Sequence, residues 1–493
     1  MEAPQAMRNL AGLKTILTLI FLLICASSAF PDGRTHKVDK LFAPWDKSDT
    51  PGCALAIIEE GKILYERGYG MANLEHDIPI TPQTVFYVGS ISKQFVAMCV
   101  ALLAKQEKIS VEHDIRKYVP ELQDFGTPIT ISHLIHHTSG LRDYLTLLNI
   151  AGVNFGFFHQ PDVLELLSRQ KELNFKPGDE YLYSNSGYFL LGVIVERVSG
   201  RSLREFAENN IFKPLGMKNS HFQDDYKMII KNRATGYLLG GAGRYKNFVT
   251  TYDCVGAGGL FTSVEDLFLW EQNFYNARVG GKDIIDQMHT RGKLNNGKKL
   301  DYAYALKITC YKGLNMVEND GTLGGYRSAI TRFPEHNFSV ICLSNLSSFN
   351  PIIKARQVAD IYLADQFKKT RTKTESAEKK TQGKPSAKNA YQEERKPRLQ
   401  EDKQVFKPTL QQLEEYEGDY FSEELRVIFR VVLKEDKLYF AHRNAPQASL
   451  LPTLEHKFTV RGWKINFITN MEDEVSSFLL SAGRVRNLKF VKR

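Results

Sequence analysis

The spacing of apolar and polar residues divides the chain into stretches of distinct character. Gly52 to Tyr69 holds two apolar runs joined at Glu60-Gly61, the pattern of a β-hairpin. Phe95 to Leu103 carries apolar residues at helical spacing, which predicts a helix opening at Ser90. From Ile115 to about Ser220 the rhythm stays mainly helical: Ile131 to Ile135, Val163 to Leu167 and Tyr188 to Val198 are amphipathic or buried segments, with Pro-Gly and Ser-Gly breaks between them. Strand character returns in Tyr302 to Tyr311, Gly324 to Phe333 and Phe338 to Ser344, and a helix from Pro351 to Phe367 follows. Strands at both ends of a helical insert predict an α/β fold. An antiparallel sheet flanked by helices would leave a cleft between sheet and insert.

Beyond Phe367 the rhythm stops. Lys368 to Pro408 is Lys, Glu, Gln, Thr and Pro with almost no apolar residues, so it cannot bury enough surface to order itself and reads as a charged flexible linker. Short, regularly spaced strand candidates then follow at Tyr416 to Tyr420, Leu425 to Leu433, Lys437 to Phe440, Lys457 to Val460, Ile465 to Ile468, Ser476 to Leu480 and Leu488 to Val491. They predict a small all-β barrel or sandwich domain. Its charged residues form no evident catalytic set, so an accessory or packing role is expected of it.

At the other end, Arg8 and Lys14 precede an uncharged run from Thr15 to Ala29 that closes on small residues, the composition of a signal peptide cleaved near Ala29. Its apolar centre falls short of the ~20 residues that a spanning helix needs. Export to the periplasm or secretion is therefore expected, with no stable membrane span after cleavage; an N-terminal membrane anchor is the alternative. Ile24 before Cys25 departs from the pattern of a lipid-modified cysteine. The expected division is 1–29 signal peptide, 30–367 catalytic domain, 368–408 linker and 409–493 small β domain.

Charge changes this picture little. The chain carries a formal +9, but 13 Lys or Arg against 6 Asp or Glu fall between Lys368 and Pro408, so most of the excess belongs to the linker. No folded basic face with interleaved aromatics is left, and no nucleic-acid partner is expected. The six cysteines (Cys25, Cys53, Cys99, Cys254, Cys310 and Cys342) include no Cys-x-x-Cys pair and have no His at metal-ligand spacing, so neither a disulfide framework nor a metal site is implied. Apolar filler is the role expected of them.

The candidate chemistry starts at Ser90-Ile-Ser-Lys93. One helical turn puts hydroxyl and amine on the same face. A serine hydroxyl is a poor nucleophile until a neighbouring base takes its proton, and a partly desolvated lysine can do so. The start of the helix adds free N-H groups that could stabilise an oxyanion. A second candidate is Tyr183-Ser184-Asn185, just before an apolar helix. Tyr183 could pass a proton between Ser90 and a leaving group, given nearby positive charge to lower its pKa, and Asn185 could bond Lys93 and a substrate amide.

Ser90-Ile-Ser-Lys93, then Tyr183-Ser-Asn185, then a Gly-rich strand start resemble the serine β-lactamase and penicillin-binding-protein family, nearest its class C β-lactamase and D-Ala-D-Ala carboxypeptidase branch. Other phrases agree: Gly68-Tyr69-Gly70-Met-Ala-Asn73, His137-Thr138-Ser139-Gly140-Leu141, Pro177-Gly178, Pro214-Leu215-Gly216-Met217 and Ala257-Gly258-Gly259-Leu260. The resemblance covers about Lys37 to Phe367, and the tail resembles the β domain often appended to such hydrolases. It implies a serine hydrolase that forms an acyl-enzyme on Ser90 without metal or organic cofactor. Its substrates would be β-lactams, D-amino-acid peptides or small esters, cell-wall peptides among them.

The family's third motif, Lys-Thr-Gly or His-x-Gly, falls on Asn319-Asp320-Gly321-Thr322. The resemblance assigns Gly321 a close backbone approach and places the oxyanion hole at the N-H groups of Thr322 and Ser90. Asn319 departs from the pattern, because an amide cannot supply the positive charge the family places there. Arg327 is the substitute that the sequence offers for binding substrate. The alternative to an enzyme is a catalytically weak homologue that binds cell-wall peptides.

Overall fold

The hairpin forms where the apolar pattern puts it. Strands β1 (Cys53–Glu59) and β2 (Lys62–Tyr69) pair antiparallel, and the connecting Glu60 and Gly61 take φ of 49° and 77°, as a two-residue primed turn requires. The remaining strands of this sheet arrive from far along the chain: β3 (Lys307–Tyr311), β4 (Leu314–Leu323), β5 (Tyr326–Phe333) and β6 (Phe338–Ser344). The order is β3-β4-β5-β6-β1-β2, antiparallel throughout. The coordinates are a computed structural model and describe residues 33–153, 158–248, 251–368, 406–442 and 445–493. The expected signal peptide and nearly all of the expected linker lie outside the described residues.

The helices that position the site are α1 (Gly33–Phe42), α2 (Ser92–Lys105), α3 (Tyr144–Ile150), α4 (Asn185–Ser199), α5 (Val264–Asn276) and α6 (Pro351–Tyr362). Because side chains alternate across a strand, β1 feeds two cores. Leu55 and Ile57 pack with Val38 and Phe42 of α1 and Val358 of α6, while Ala54, Ala56 and Ile58 join Phe95 of α2 and Trp270 of α5. A strand covered on both faces reads as a continuous apolar run, which is what Cys53 to Ile58 is. Helix α2 lies deepest: every residue from Ser92 to Ala101 is buried. Helix α4, buried from Asn185 to Val195, packs beside it.

Two details differ from the expectation. Tyr302 to Leu306 is not strand: Ala305 takes φ of 58°, which turns the chain, and β3 begins only at Lys307. Strand β4 shows no alternation in sequence because Glu318-Asn319-Asp320 interrupts it. Four of the five described cysteines are buried, and Cys310 on β3 is exposed, so filler describes all of these but Cys310.

The C-terminal region folds into one nine-stranded antiparallel sheet: β7 (Gly418–Ser422), β8 (Val427–Lys434), β9 (Lys437–His442), β10 (Ala445–Ser449), β11 (Leu451–Leu454), β12 (Lys457–Val460), β13 (Trp463–Thr469), β14 (Val475–Ala482) and β15 (Val485–Lys492). The order β10-β9-β8-β7-β15-β14-β13-β12-β11 puts two strands consecutive in sequence at the two ends, so the sheet curls into a nearly closed barrel. Tyr420, Phe429, Phe440, Phe467, Phe478 and Phe490 fill it. Strands β10 and β11 are two more than the sequence shows.

The barrel docks on the helical insert through buried charge. Arg142 donates to Glu424 (2.5 Å) and to the carbonyls of Arg486 (3.2 Å) and Asn487 (3.1 Å). Glu424 also accepts the backbone N-H of Lys171 at 2.9 Å. Both charged side chains are almost fully enclosed, so each satisfies the other's desolvation.

Candidate active site

Ser90 sits in a 3-10 turn, Gly89–Ile91, immediately before α2 rather than on its first residue. The turn is pressed against β4 backbone to backbone. A Cβ on Gly89, whose φ is 54°, would lie 2.5 Å from the Thr322 nitrogen, and a Cβ on Gly321 would lie 2.0 Å from the Val88 oxygen and 2.9 Å from the Ser90 nitrogen. Only glycine fits at both positions. The backbone nitrogens of Ser90 and Thr322 thereby meet at one seam, where two N-H donors can serve one oxygen.

Lys93 is fully buried one turn further on. Its Nζ donates to Ser90 Oγ (3.0 Å), Asn185 Oδ1 (3.0 Å) and the Ala257 carbonyl (2.6 Å). Burial lowers the amine's pKa to about 7; Asp143 and Asp320 oppose that shift and Arg484 adds to it. Tyr183 approaches from the other side and donates to Ser90 Oγ at 2.8 Å. Burial raises its phenol pKa, against which the bond to Ser90 and the charge of Arg484 act. One hydroxyl is thus held between an amine that is half-deprotonated near neutral pH and a protonated phenol.

A second layer holds these groups. Asn185 begins α4, and its Nδ2 and backbone N-H both donate to Asp143 Oδ2, at 2.9 and 2.7 Å, which turns its Oδ1 toward Lys93. Asp143 caps α3 with its other oxygen, accepting from Thr146 N at 3.0 Å. His137 packs against Tyr183 with ring centroids 4.2 Å apart and the planes tilted by 39°. Burial holds its pKa well below the usual histidine value, so the ring is neutral; its Nδ1 accepts from Ser184 N (3.2 Å) and its Nε2 faces Tyr302 OH (3.0 Å).

The cleft over these groups has a volume of about 770 Å³. Ser90, Tyr183, Asn185, Asn319 and Thr322 line it, so the structure brings together nearly every residue singled out in the sequence. Asn319 spends its Nδ2 on the Ala305 carbonyl. Arg327 is the exception: it is not among the lining residues, and its guanidinium bonds the carbonyls of Gly324 (2.8 Å) and Tyr326 (2.7 Å). Arg484, on the β14–β15 turn of the barrel, lines the cleft instead. Asp143 and Arg484 escaped sequence reasoning, and His137 entered it only as part of a matching phrase, with no role at the site. Asp143 has the weak signal of a cap followed three residues later by Thr146; Arg484 has none, since nothing local places a turn of one sheet in the cleft of another.

A sheet covered by helices on both faces, with a serine and a lysine at the start of its central helix and a tyrosine across the cleft, defines the β-lactamase and transpeptidase class of fold. The Beta-lactamase family model matches residues 38–363, and the chain belongs to that family. A D-aminopeptidase of Gluconobacter oxydans (strain 621H) is 28% identical over 311 residues, covering 63% of this chain and 58% of that protein. A penicillin-binding protein of Bacillus subtilis (strain 168) is 29% identical over 315 residues, covering 61% of this chain and 69% of the relative. The chain therefore matches little more than half the length of the first of these. Among solved structures, the octameric penicillin-binding protein homologue from Pyrococcus abyssi superposes with a TM-score of 0.61 at 24% identity, covering 93% of this chain and 100% of that one. That likeness supports the fold, the barrel region included.

Proposed function

We propose that the chain is a serine hydrolase that forms an acyl-enzyme on Ser90. The observation that carries this reading is the fully buried Lys93 with its Nζ 3.0 Å from Ser90 Oγ, while Tyr183 OH lies 2.8 Å from the same oxygen. A neutral Lys93 has two N-H groups, which Asn185 Oδ1 and the Ala257 carbonyl accept. Its lone pair then faces Ser90. The Ser90 proton passes to Nζ as Oγ bonds the substrate carbonyl carbon, and the carbonyl oxygen takes the negative charge between the N-H groups of Ser90 and Thr322. The bond to the leaving group breaks next. The departing nitrogen or oxygen takes the proton of Tyr183, and Lys93 returns its own proton to Tyr183. Water then repeats the sequence on the acyl ester and frees Ser90.

Substrates of this reading are β-lactams, D-amino-acid peptides or amides, or small esters; the D-aminopeptidase and penicillin-binding relatives support the range without selecting within it. We further propose that residues 30–367 form the catalytic unit and 409–493 the barrel unit, joined by 368–408, and that the protein is exported after cleavage near Ala29. Among the described residues, no helix is long and apolar enough to cross a membrane. A second reading, a catalytically weak binder of cell-wall peptides, draws on Asn319, whose neutral amide is bound to Ala305.

Intact-mass analysis during incubation with a fluorescent penicillin and a small ester, with Ser90→Ala as control, tests both readings. A persistent Ser90-dependent adduct is expected of a penicillin-binding or peptidase role, and a transient one with antibiotic consumed of a β-lactamase. Ester cleavage lost in Ser90→Ala, without an adduct, marks an esterase or peptidase. No signal from any of these would leave the binder reading in place of the enzyme.

A further inference from the structure

The β14–β15 turn belongs to the barrel, yet it ends at the catalytic groups. Gly483 takes φ of 52° at the turn, and the Arg484 carbonyl that follows accepts from Asp143 N (3.4 Å) and Asn174 Nδ2 (3.0 Å). The next residue along, Val485, begins β15, and Arg486 is fastened in turn: its N-H donates to Asn174 Oδ1 at 2.8 Å, and its guanidinium bonds Glu180 at 3.0 and 3.1 Å. A backbone held at this many points has little freedom to move its side chain away. The Arg484 guanidinium lies 3.5 Å from Asp143 Oδ2 and 4.8 Å from the centre of the Tyr183 ring.

Asp143 is the shared partner of Arg484 and Asn185. One of its oxygens accepts both nitrogens of Asn185, and Asn185 in turn holds Lys93. At 1% exposure such a carboxylate needs compensating charge and donors. Left alone it would also draw a proton onto Lys93 and so disarm the base. A cation beside it answers both needs. Lys298, Lys299 and Lys307 line the cleft as well, but Arg484 is the cation that bonds Asp143 and overlies Tyr183.

We infer that Arg484 is a positioning residue for the Ser90 reaction, holding Asp143 and the Tyr183 ring and supplying from the barrel the positive charge that Asn319 lacks. The barrel is then a working part of the catalytic unit. This rests on Ser90 being the nucleophile. The charges acting on Lys93 are Asp143 from the start of α3, Asp320 from β4 and Arg484 from the barrel, with neutral His137 near by. Removing Arg484 leaves the two carboxylates unopposed, so the amine holds its proton to higher pH.

The test uses the full chain and follows acylation by a fluorophosphonate probe and hydrolysis of a small chromogenic ester as functions of pH. Arg484→Ala is expected to slow both about 10- to 100-fold and to move the midpoint of the pH profile upward from about 7 by roughly half a unit to one unit. Arg484→Lys should return the midpoint but only part of the rate, because lysine lacks the planar face that lies on Tyr183. Adding Asp143→Asn to Arg484→Ala should bring the midpoint back down, which a purely structural role would not do. A thermal melt establishes that each variant is folded. Arg484→Ala with rate and midpoint unchanged would overturn the inference, as would a rate loss with no midpoint shift and no recovery in Arg484→Lys. Wild-type protein that is not labelled, or a Ser90→Ala variant labelled equally well, would overturn the nucleophile reading and this inference with it.

Discussion

The two walls of the cleft are built from different materials. The strand wall contributes backbone: β4 brings the Thr322 nitrogen against the Ser90 turn through two glycines, and its polar side chains there are the neutral Asn319 and Thr322 and the acidic Glu318 and Asp320. The opposite wall contributes side chains: Tyr183, Asn185, Asp143 and, from the barrel, Arg484. Backbone donors need only close approach, which glycine permits, and they tolerate drift in the residues around them. Side-chain charges need partners, and here the partners come from three separate regions of the chain. A cation absent from one wall can therefore be sought on the other, at no fixed distance in sequence.

The largest expected effect breaks the base that both walls serve. Lys93→Ala should slow acylation by about 10²- to 10⁴-fold. In the wild type, acylation should fall about tenfold per pH unit below a midpoint near 7, because the proposed role of Lys93 requires a neutral amine and its pKa is lowered to about 7. A stopped-flow pH profile checks both, and a profile flat from pH 5 to 8 would remove Lys93 as the base. Arg142→Ala attacks the side-chain wall alone: it strands Glu424, whose side chain is 6% exposed, and should cost about 3 kcal/mol in urea unfolding. Acylation is expected to weaken with it as the barrel turn loosens, while the strand wall is untouched.

Gly321→Ala attacks the strand wall. Its new Cβ would stand 2.0 Å from the Val88 oxygen, so strand and turn must part; about 1–3 kcal/mol of stability and at least ~10-fold in acylation are expected to go. Unchanged acylation in a variant of normal stability would argue that the seam is not the oxyanion site. The smallest effect sharpens the comparison. Asn319→Lys puts a cation on the strand wall and should favour carboxylate-bearing substrates over neutral esters by about tenfold, or ~1.4 kcal/mol, read as a ratio of kcat/KM values.

Much of this was legible in the sequence, for reasons that differ by region. Strand β1 was visible because a strand buried on both faces is apolar throughout, and the β1–β2 turn because Gly61 breaks the apolar run and suits positive φ. Ser90, Lys93, Tyr183 and Asn185, which the structure brings together, were singled out because each lies in a short motif whose chemistry is local. The strand character of β4 was hidden by Glu318-Asn319-Asp320, polar residues that line the cleft, Glu318 also bonding the half-buried Arg356 and the buried Thr331. Arg327 was chosen for proximity in sequence to the third motif, but across a tight β4–β5 turn the shortest path for its guanidinium is back onto the carbonyls of that turn. Arg484 could not be found at all, since its partner Asp143 is 341 residues away and the contact exists only once barrel and insert have docked.

The strand order has a consequence for how the molecule is made. The β1–β2 hairpin can close as soon as residue 69 is available, but the other edge of β1 is paired by β6, with Cys53 opposite Ser344 and Glu59 opposite Phe338. Until that strand arrives, an apolar strand presents a bare edge, the kind of surface on which chains associate with one another. Closing so long a loop is also slow. A chain emerging from its N-terminal end must therefore keep its central strand solvated or shielded for nearly 270 residues of growth (from residue 69 to Phe338), and its demand for chaperoning should be set by the delay before β6 appears rather than by the stability of the finished sheet.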